Sequence, residues 1–266
     1  YGLVGSEMCI RDSNVFCEKP LAITLEELAL IEEQLEKIGV MGEMEGESLI
    51  EVNQGTWINP PLLMIGFNRR FAPFIVKIKE RIQHHKLPLM INYQMNAGFL
   101  PPDHWLRTDE GGGRNIGEAC HIYDLFTYFT NAYYQDIKTS HIKLPDLTHG
   151  QNENFTTTIT FHDGSIATLT YTSLGHKKYP KELLHLFADQ TVHALTDYSK
   201  LESVTGVPEV EHNETMDKGH QNEMKLFVNA IKNGGEWPIP LWQQVQATRI
   251  SFIVEQQIMG EVLQSK

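Results

Sequence analysis

Apolar residues recur with two different periods along this chain, and the periods predict its secondary structure. A spacing of three and four residues from Leu25 to Ile38 predicts an α-helix. This helix begins at the capping box Thr24-Leu25-Glu26-Glu27 and ends near Gly39. Two short apolar runs flank it, at residues 14–17 and 62–67, and such runs are typical of buried parallel strands.

The middle of the chain follows the period of strands. Residues 155–161 and 165–173 alternate apolar and polar side chains around His162-Asp163-Gly164, and Asp-Gly between two such runs predicts a β-hairpin. The other elements predicted after residue 74 are a helix at 75–83, a strand at 89–95, one or two strands within 183–195, and helices at 223–232 and 241–263.

These elements indicate an α/β chain with two units. Residues 14–74 have the pattern of the tail of a βα domain, in which residues 43–59 form a loop with a short helix. Residues 75–240 form an α+β domain with a large open mixed β-sheet and helices on one face. The many threonines on the outer positions of the hairpin predict a sheet face that meets water or a second subunit.

Composition narrows the class of protein. The 266 residues carry a net charge of −12, which argues against nucleic acid as a partner because phosphate binding draws on clustered Lys and Arg. No apolar run approaches the ~18 residues of a membrane span. Three cysteines without metal-like spacing predict reduced thiols and a cytoplasmic location.

Three motifs stand in a fixed order along the chain. Glu18-Lys19-Pro20 follows the first apolar run, Gly66-Phe67-Asn68-Arg69-Arg70-Phe71 follows the second, and residues 111–124 read Gly-Gly-Gly-Arg-Asn-Ile-Gly-Glu-Ala-Cys-His-Ile-Tyr-Asp. Together they resemble the glucose–fructose oxidoreductase / inositol dehydrogenase (Gfo/Idh/MocA) family of NAD(P)-dependent sugar oxidoreductases. The resemblance runs from about Asn14 to the C-terminus.

The resemblance implies a fold, a reaction and a partner. Residues 14–74 correspond to the C-terminal remnant of a Rossmann dinucleotide-binding domain, and residues 241–266 to a helix that packs back on it. The implied reaction is hydride transfer between NAD or NADP and a hydroxyl or carbonyl carbon of a sugar, sugar derivative or polyol. Relatives commonly associate as homo-oligomers through the open sheet face.

The glycine loop that holds a dinucleotide pyrophosphate is the part of this pattern that we do not find. No G-x-G-x-x-G occurs in the 266 residues, and residues 1–13 have the wrong glycine spacing for one. We therefore expect residues 1–13 to be a non-native leader, the chain to be N-terminally truncated relative to the family, and its binding of NAD(P) to be weak.

His121 and Lys19 are the predicted catalytic residues. His121 is the candidate base, because imidazole titrates near working pH. Asp124 lies three residues on, so it can orient the imidazole or bond elsewhere in the helix bundle. Lys19 ends a strand at the crevice where such sheets bind ligands, and its charge favours a developing alkoxide. Glu18 and Pro20 shape that turn.

Several residues keep two interpretations. Arg69 and Arg70 either steady the nicotinamide side of the cleft or cap the sheet, and Trp105 and Arg107 either line a sugar pocket or anchor a loop. His220 is a further candidate near the cleft. The predicted cofactor contacts are Glu18, Lys19, Pro20 and Arg70, and the predicted substrate contacts are Lys19, Trp105, Arg107, Glu118, His121 and Asp124.

One position departs from the family pattern. Many relatives carry an aspartate four residues before the histidine, and this chain has Gly117 there. Glu118 lies about 100° further round the helix, so it is not a simple replacement.

Two other functions fit parts of the sequence. A metal hydrolase would explain the twelve histidines, but no H-x-x-x-H or H-E-x-x-H pair occurs, and we predict no metal. A catalytically inactive binding or oligomerisation module would explain the missing glycine loop.

Overall fold

The computed structural model describes residues 13–37, 44–45, 48–49, 62–143, 151–234 and 237–260. The predicted helix end at Gly39, nearly all of the predicted leader and most of the predicted loop at 43–59 lie outside these residues.

The smaller unit has the βα pattern that the sequence predicts. Strand β1 (Val15–Cys17) pairs in parallel with β4 (Leu63–Ile65). Helix α1 (Leu25–Lys37) buries Leu28, Ile31 and Leu35 and contacts the C-terminal helix. The Thr24 hydroxyl accepts a hydrogen bond from the Glu27 N–H at 3.1 Å, which confirms the N-cap. Its other elements are the short antiparallel strands β2 (Met44–Glu45) and β3 (Ser48–Leu49).

An eight-stranded mixed sheet forms the larger unit. The strands are β5 (Met90–Asn96), β6 (Tyr134–His141), β7 (Asn154–Phe161), β8 (Ile166–Thr172), β9 (Glu182–Ala188), β10 (Thr191–Thr196), β11 (Lys200–Val204) and β12 (Pro208–His212). Their order is β12-β11-β10-β9-β5-β8-β7-β6. Only β5 and β8 pair in parallel among these neighbours. The predicted hairpin is confirmed as β7 and β8, with Thr160 opposite Ile166.

Four helices accompany this sheet: α2 (Pro73–Ile82), α3 (Cys120–Thr130), α4 (His220–Asn233) and α5 (Leu241–Met259). Helix α5 packs against β6 and α3, whereas α4 packs against residues 68–71 and places Phe227 against Phe16 of β1. Helix α2 begins two residues before the predicted start, because Pro73 occupies the first turn, where its missing N–H costs no hydrogen bond. Helix α5 ends four residues before its predicted end, because Gly260 adopts a left-handed conformation with φ of 74°.

Helix α5 joins the two units through buried glutamines. The Gln244 amide accepts from the Ile65 N–H at 2.8 Å and donates to the Leu63 carbonyl at 3.0 Å, so it pairs with β4 as a strand would. Two residues on, Gln246 accepts from the Tyr134 N–H at 3.2 Å at the start of β6. The helix therefore satisfies backbone groups of both sheets, which would otherwise be buried without partners.

Among the described helices, none combines the length and apolar character that a bilayer span requires.

Candidate active site

Lys19 is held at the junction of the two units. It follows β1, and its ammonium group donates a hydrogen bond to the carbonyl oxygen of Gly117 in the larger unit. The bond between Lys19 and Pro20 is cis. Gly117 belongs to a π-helical turn, Asn115–Ala119, that leads directly into α3. Such turns occur often at functional sites, because they displace the carbonyls that follow from the regular ladder.

His121 lies in the first turn of α3 and is 6% exposed. The ring of Phe67 meets its imidazole edge-on, with 6.1 Å between the ring centroids. Its Nδ1 has no hydrogen-bond partner among the described residues. Burial lowers the pKa of His121 well below its usual 6.5, and the nearby charges of Arg69 and Lys19 lower it further. The imidazole is therefore neutral near pH 7, and its Nδ1 is buried without a hydrogen-bond partner among the described residues.

Asp124 does not orient the imidazole, in contrast to one of its two predicted roles. It is fully buried, and its Oδ2 accepts from Arg70 Nε at 2.9 Å while Arg70 Nη2 donates to Oδ1. Arg70 also donates to Gln243 Oε1 at 2.7 Å and covers the ring of Tyr128. Burial outweighs the Arg70 charge and raises the pKa of Asp124.

Arg70 and Asp124, a predicted cofactor contact and a predicted substrate contact, are bound to each other. Arg70 is 2% exposed and Asp124 is inaccessible. Their bidentate contact fixes both side chains in position.

Arg69 takes part in a second buried network, which the sequence analysis did not find. Its Nε donates to Glu182 Oε2 at 2.9 Å and its Nη2 to Oε1 at 3.2 Å. The Tyr93 hydroxyl donates to the same carboxylate at 2.6 Å, and the Lys218 ammonium donates to Oε1. Burial raises the pKa of Glu182, but Arg69 and Lys218 outweigh it and bring the pKa to about 2. Glu182 is therefore ionised.

No local sequence signal could have assigned these partners. Arg69 and Glu182 lie 113 residues apart, and Glu182 stands at the start of an ordinary alternating strand. Lys218 lies beside His220, which the sequence analysis did single out as a residue near the cleft. His220 begins α4, and its charge is one of those that lower the pKa of His121.

The structure also explains the glycine at position 117. A Cβ atom there would collide with the carbonyl oxygen of Gly111 and would lie 2.8 Å from Leu106 Cδ2, so no side chain fits. The aspartate of many relatives is thus excluded by the close approach of this turn.

Glu118 does not take the place of that aspartate. Its carboxylate accepts from Lys181 Nζ at 2.9 Å, from Arg114 Nη1 at 2.9 Å and from the Tyr171 hydroxyl. Burial raises the pKa of Glu118, but Lys181 and the hydrogen bond from Tyr171 bring it to about 2. The carboxylate is therefore directed at the ends of β8 and β9.

The remaining candidates lie at the edge of this arrangement. Trp105 is 61% exposed, and Arg107 pairs with Glu153 at 2.7 Å. Their helical turn packs against Gly111, where a Cβ would lie 2.5 Å from the Trp105 carbonyl. Glu18 is exposed at the end of β1. Within the described parts of the chain, no three His, Cys, Asp or Glu side chains are grouped so that they could hold a metal ion.

Comparisons with known proteins agree with this fold. No known family profile matches the chain. The uncharacterized oxidoreductase YrbE of Bacillus subtilis (strain 168) is 22% identical over 258 residues, which cover 92% of this chain and 69% of that protein.

Solved structures are similar at still lower identity. UDP-N-acetylglucosamine 3-dehydrogenase GnnA from Acidithiobacillus ferrooxidans has a TM-score of 0.70 at 15% identity, covering 93% of this chain and 71% of its own. Levoglucosan dehydrogenase, solved with NADH and L-sorbose, has a TM-score of 0.68 at 15% identity, covering 93% and 72%. The similar structures are Gfo/Idh/MocA-type oxidoreductases. They confirm the predicted α/β fold, a Rossmann-like unit beside a large mixed sheet.

The Glu182 network predicts a specific acid dependence of stability. The folded pKa of about 2 lies below the ordinary value of 4.5, so its stabilisation is present above pH 4.5 and is lost as the pH falls towards 2. The full loss is roughly 3 kcal/mol, of which about 2 kcal/mol falls above about pH 3. Urea unfolding from neutral to acid pH should show a flatter profile for Glu182→Gln than for the unchanged chain.

Glu202→Gln is the matched control, because Glu202 is a surface carboxylate paired with Lys200 at 3.0 Å. It should keep the original profile. A Glu182→Gln variant that loses as much stability on acidification as the unchanged chain would contradict the assignment.

Proposed function

We propose that this chain carries the catalytic and substrate-binding part of an NAD- or NADP-dependent oxidoreductase. Its reaction is hydride transfer between the nicotinamide and a hydroxyl or carbonyl carbon of a sugar, sugar derivative or polyol. The observation that carries the proposal is a neutral, buried His121 with an unpartnered Nδ1, beside a Lys19 ammonium held at the end of β1. The names of the similar proteins, dehydrogenases of sugar-type compounds among them, support it.

Each residue has one role in this reaction. As the substrate hydroxyl is oxidised, His121 accepts its proton, which a neutral imidazole can do. The Lys19 ammonium stabilises negative charge on the same oxygen. The bound nicotinamide supplies the hydride acceptor. The imidazole is buried, and Phe67 meets it edge-on.

The residues at the strand ends fit a nicotinamide. Glu18, Lys19 and Pro20 follow β1 at the carboxyl end of a parallel pair of strands, which is where such sheets bind ligands. Arg70 is not part of this set, because its donors are bound to Asp124 and Gln243.

A second candidate function is a non-catalytic assembly module. It is favoured by one observation, the lack of a G-x-G-x-x-G motif in the 266 residues. NADH or NADPH that remains bound to the purified 266-residue chain would favour the oxidoreductase over the assembly module.

Variants of the two central residues test the proposed reaction. A chimera that places a G-x-G-x-x-G-bearing βαβ segment before Asn14 allows turnover to be measured with a panel of sugars. His121→Ala should lower turnover by about two to four powers of ten with little change in cofactor affinity, because a general base is lost. Lys19→Ala should lower turnover and weaken substrate binding.

His162→Ala is the matched control, because His162 is exposed in the turn between β7 and β8. It should leave both parameters unchanged. A His121→Ala enzyme that keeps more than about a third of the original turnover would remove His121 from the mechanism, since a lost base costs far more.

We further propose that the open face of the sheet binds a second copy of this chain. Apolar side chains form one row across this face, in register from strand to strand: Ile166, Met90, Phe187, Val192 and Val204. The threonines of β7 and β8 continue the face without a charge. A continuous apolar row on an exposed sheet is typical of an interface.

Light scattering tests this association. The unchanged chain should be oligomeric at micromolar concentration, and Phe187→Lys should dissociate it by placing a charge within the apolar row. Leu87→Lys, at an exposed apolar residue before β5, should leave the assembly intact. An unchanged chain that remains monomeric under these conditions would refute the interface.

A further inference from the structure

The surroundings of His121 carry more positive than negative charge. The nearby cations are Lys19, Arg69 and Lys218, and each lowers the pKa of the imidazole. The carboxylate that pairs with two of them is Glu182. The Arg70–Asp124 pair adds one charge of each sign, and Glu18 beside Lys19 adds one carboxylate. Glu223, near Glu18 and Asp124, has a pKa raised to about 8 by burial and is mostly protonated at pH 7. Four cations and three carboxylates leave one positive charge in excess, although the chain as a whole carries −12. Local positive charge in a chain that is negative overall favours a negatively charged ligand at this site.

Glu182 has enough hydrogen-bond donors without Lys218. The carboxylate already accepts two hydrogen bonds from Arg69 and one from Tyr93. Lys218 adds a second positive charge to an acceptor that is already satisfied. Its side chain is 20% exposed, whereas the side chains of Arg69 and Glu182 are 7% and 1% exposed. Lys218 is therefore the charge of this network that a ligand can reach.

The position of Lys218 is fixed by its backbone. Its carbonyl oxygen accepts from Asn68 Nδ2 at 2.8 Å, and the N–H of Gly219 donates to Asp217 Oδ1 at 2.8 Å. Gly219 has φ of 88°, and a Cβ there would lie 2.5 Å from the Ala72 nitrogen, so only glycine fits. The ammonium group also lies 5.7 Å from the centre of the Tyr198 ring.

This arrangement makes Lys218 a preorganised charge. A lysine on a mobile loop loses side-chain entropy when it binds a ligand, whereas one held by Glu182 and Tyr198 has already been ordered. Of the three donors of its ammonium group, the described contacts use one, on Glu182. The others are available to an acceptor that reaches the exposed part of this side chain.

We propose that the substrate of this site carries a negatively charged group, a carboxylate or a phosphate ester, and that Lys218 binds this group beside His121. The proposal rests on the proposed function, because it names the substrate class of the same site. Binding of the anion would offset one of the charges around the imidazole and so make His121 a better proton acceptor.

Titration of the 266-residue chain with four probes tests this assignment. The probes are D-glucose, D-glucuronate, D-glucose 6-phosphate and inorganic phosphate, and binding is followed by NMR at constant ionic strength. One or both of the anionic sugars should bind at millimolar concentration and at least about tenfold more tightly than D-glucose, because a hydrogen bond to a charged group is gained. Which of the two binds distinguishes a carboxylate from a phosphate ester.

Three variants locate the anion. Lys218→Gln should remove most of the preference for the anionic sugar, and Lys218→Arg should retain it. Lys77→Gln should leave it unchanged, because Lys77 pairs with Glu211 of β12 and not with the Glu182 network. Thermal unfolding of each variant shows that it is folded. If Lys181→Gln abolishes the preference and Lys218→Gln does not, the assignment to Lys218 is wrong.

Other outcomes would overturn the proposal as well. Equal binding of D-glucose and both anionic sugars, no binding of any anionic sugar at millimolar concentration, or inorganic phosphate that binds as tightly as D-glucose 6-phosphate would each do so. These measurements need no cofactor, so they are independent of hydride transfer. An anionic sugar that binds through Lys218 without being oxidised by the chimera would refute the proposed function alone.

Discussion

The buried ion pair between Arg70 and Asp124 is the contact on which the geometry of the candidate site depends. Arg70 follows β4 of the smaller unit, Asp124 lies in α3 of the larger one, and Gln243 of α5 accepts a third hydrogen bond from the same guanidinium. Removing either partner would leave a buried charge without compensation, which typically costs about 3–5 kcal/mol. The start of α3 is thereby fixed relative to the end of β4.

The same contact determines what His121 can do. Because Arg70 occupies the carboxylate of Asp124, the histidine one turn before it has no acidic partner among the described residues, and its buried Nδ1 accepts or donates no hydrogen bond there. Burial keeps the imidazole neutral, and the nearby charges, which are cationic, lower its pKa further. The ion pair thus leaves a neutral imidazole among cationic side chains, which fits the proposed role of His121 as a base.

Local sequence patterns were sufficient to predict most helices and strands and part of the candidate site. Alternation predicted the β7–β8 hairpin, and the apolar run before Lys19 predicted its position at the end of strand β1. Its contact with Gly117 of the larger unit was not predicted. The partners of Arg69 and Arg70 could not be predicted, because Glu182 and Asp124 reach them only through the tertiary fold.

Two unusual features of the sequence could not be interpreted either, because they too depend on contacts made only in the tertiary fold. The buried Gln244 and Gln246 give α5 a mixed pattern whose meaning depends on the strands it meets, β4 and β6. Gly117 resembles a lost functional residue, but the approach of Gly111 explains it by space alone. In both cases a distant backbone group, rather than the neighbouring residues, determines which side chain fits.

The charge state of His121 is the central claim of this account, and an NMR titration of its imidazole tests it most directly. Ring resonances of the 266-residue chain, assigned by comparison with a His121→Gln variant, can be followed from neutral pH into the acid range. The account predicts that His121 remains neutral well below pH 6.5, the usual midpoint for histidine. Protonation of His121 at or above pH 6.5 would contradict it.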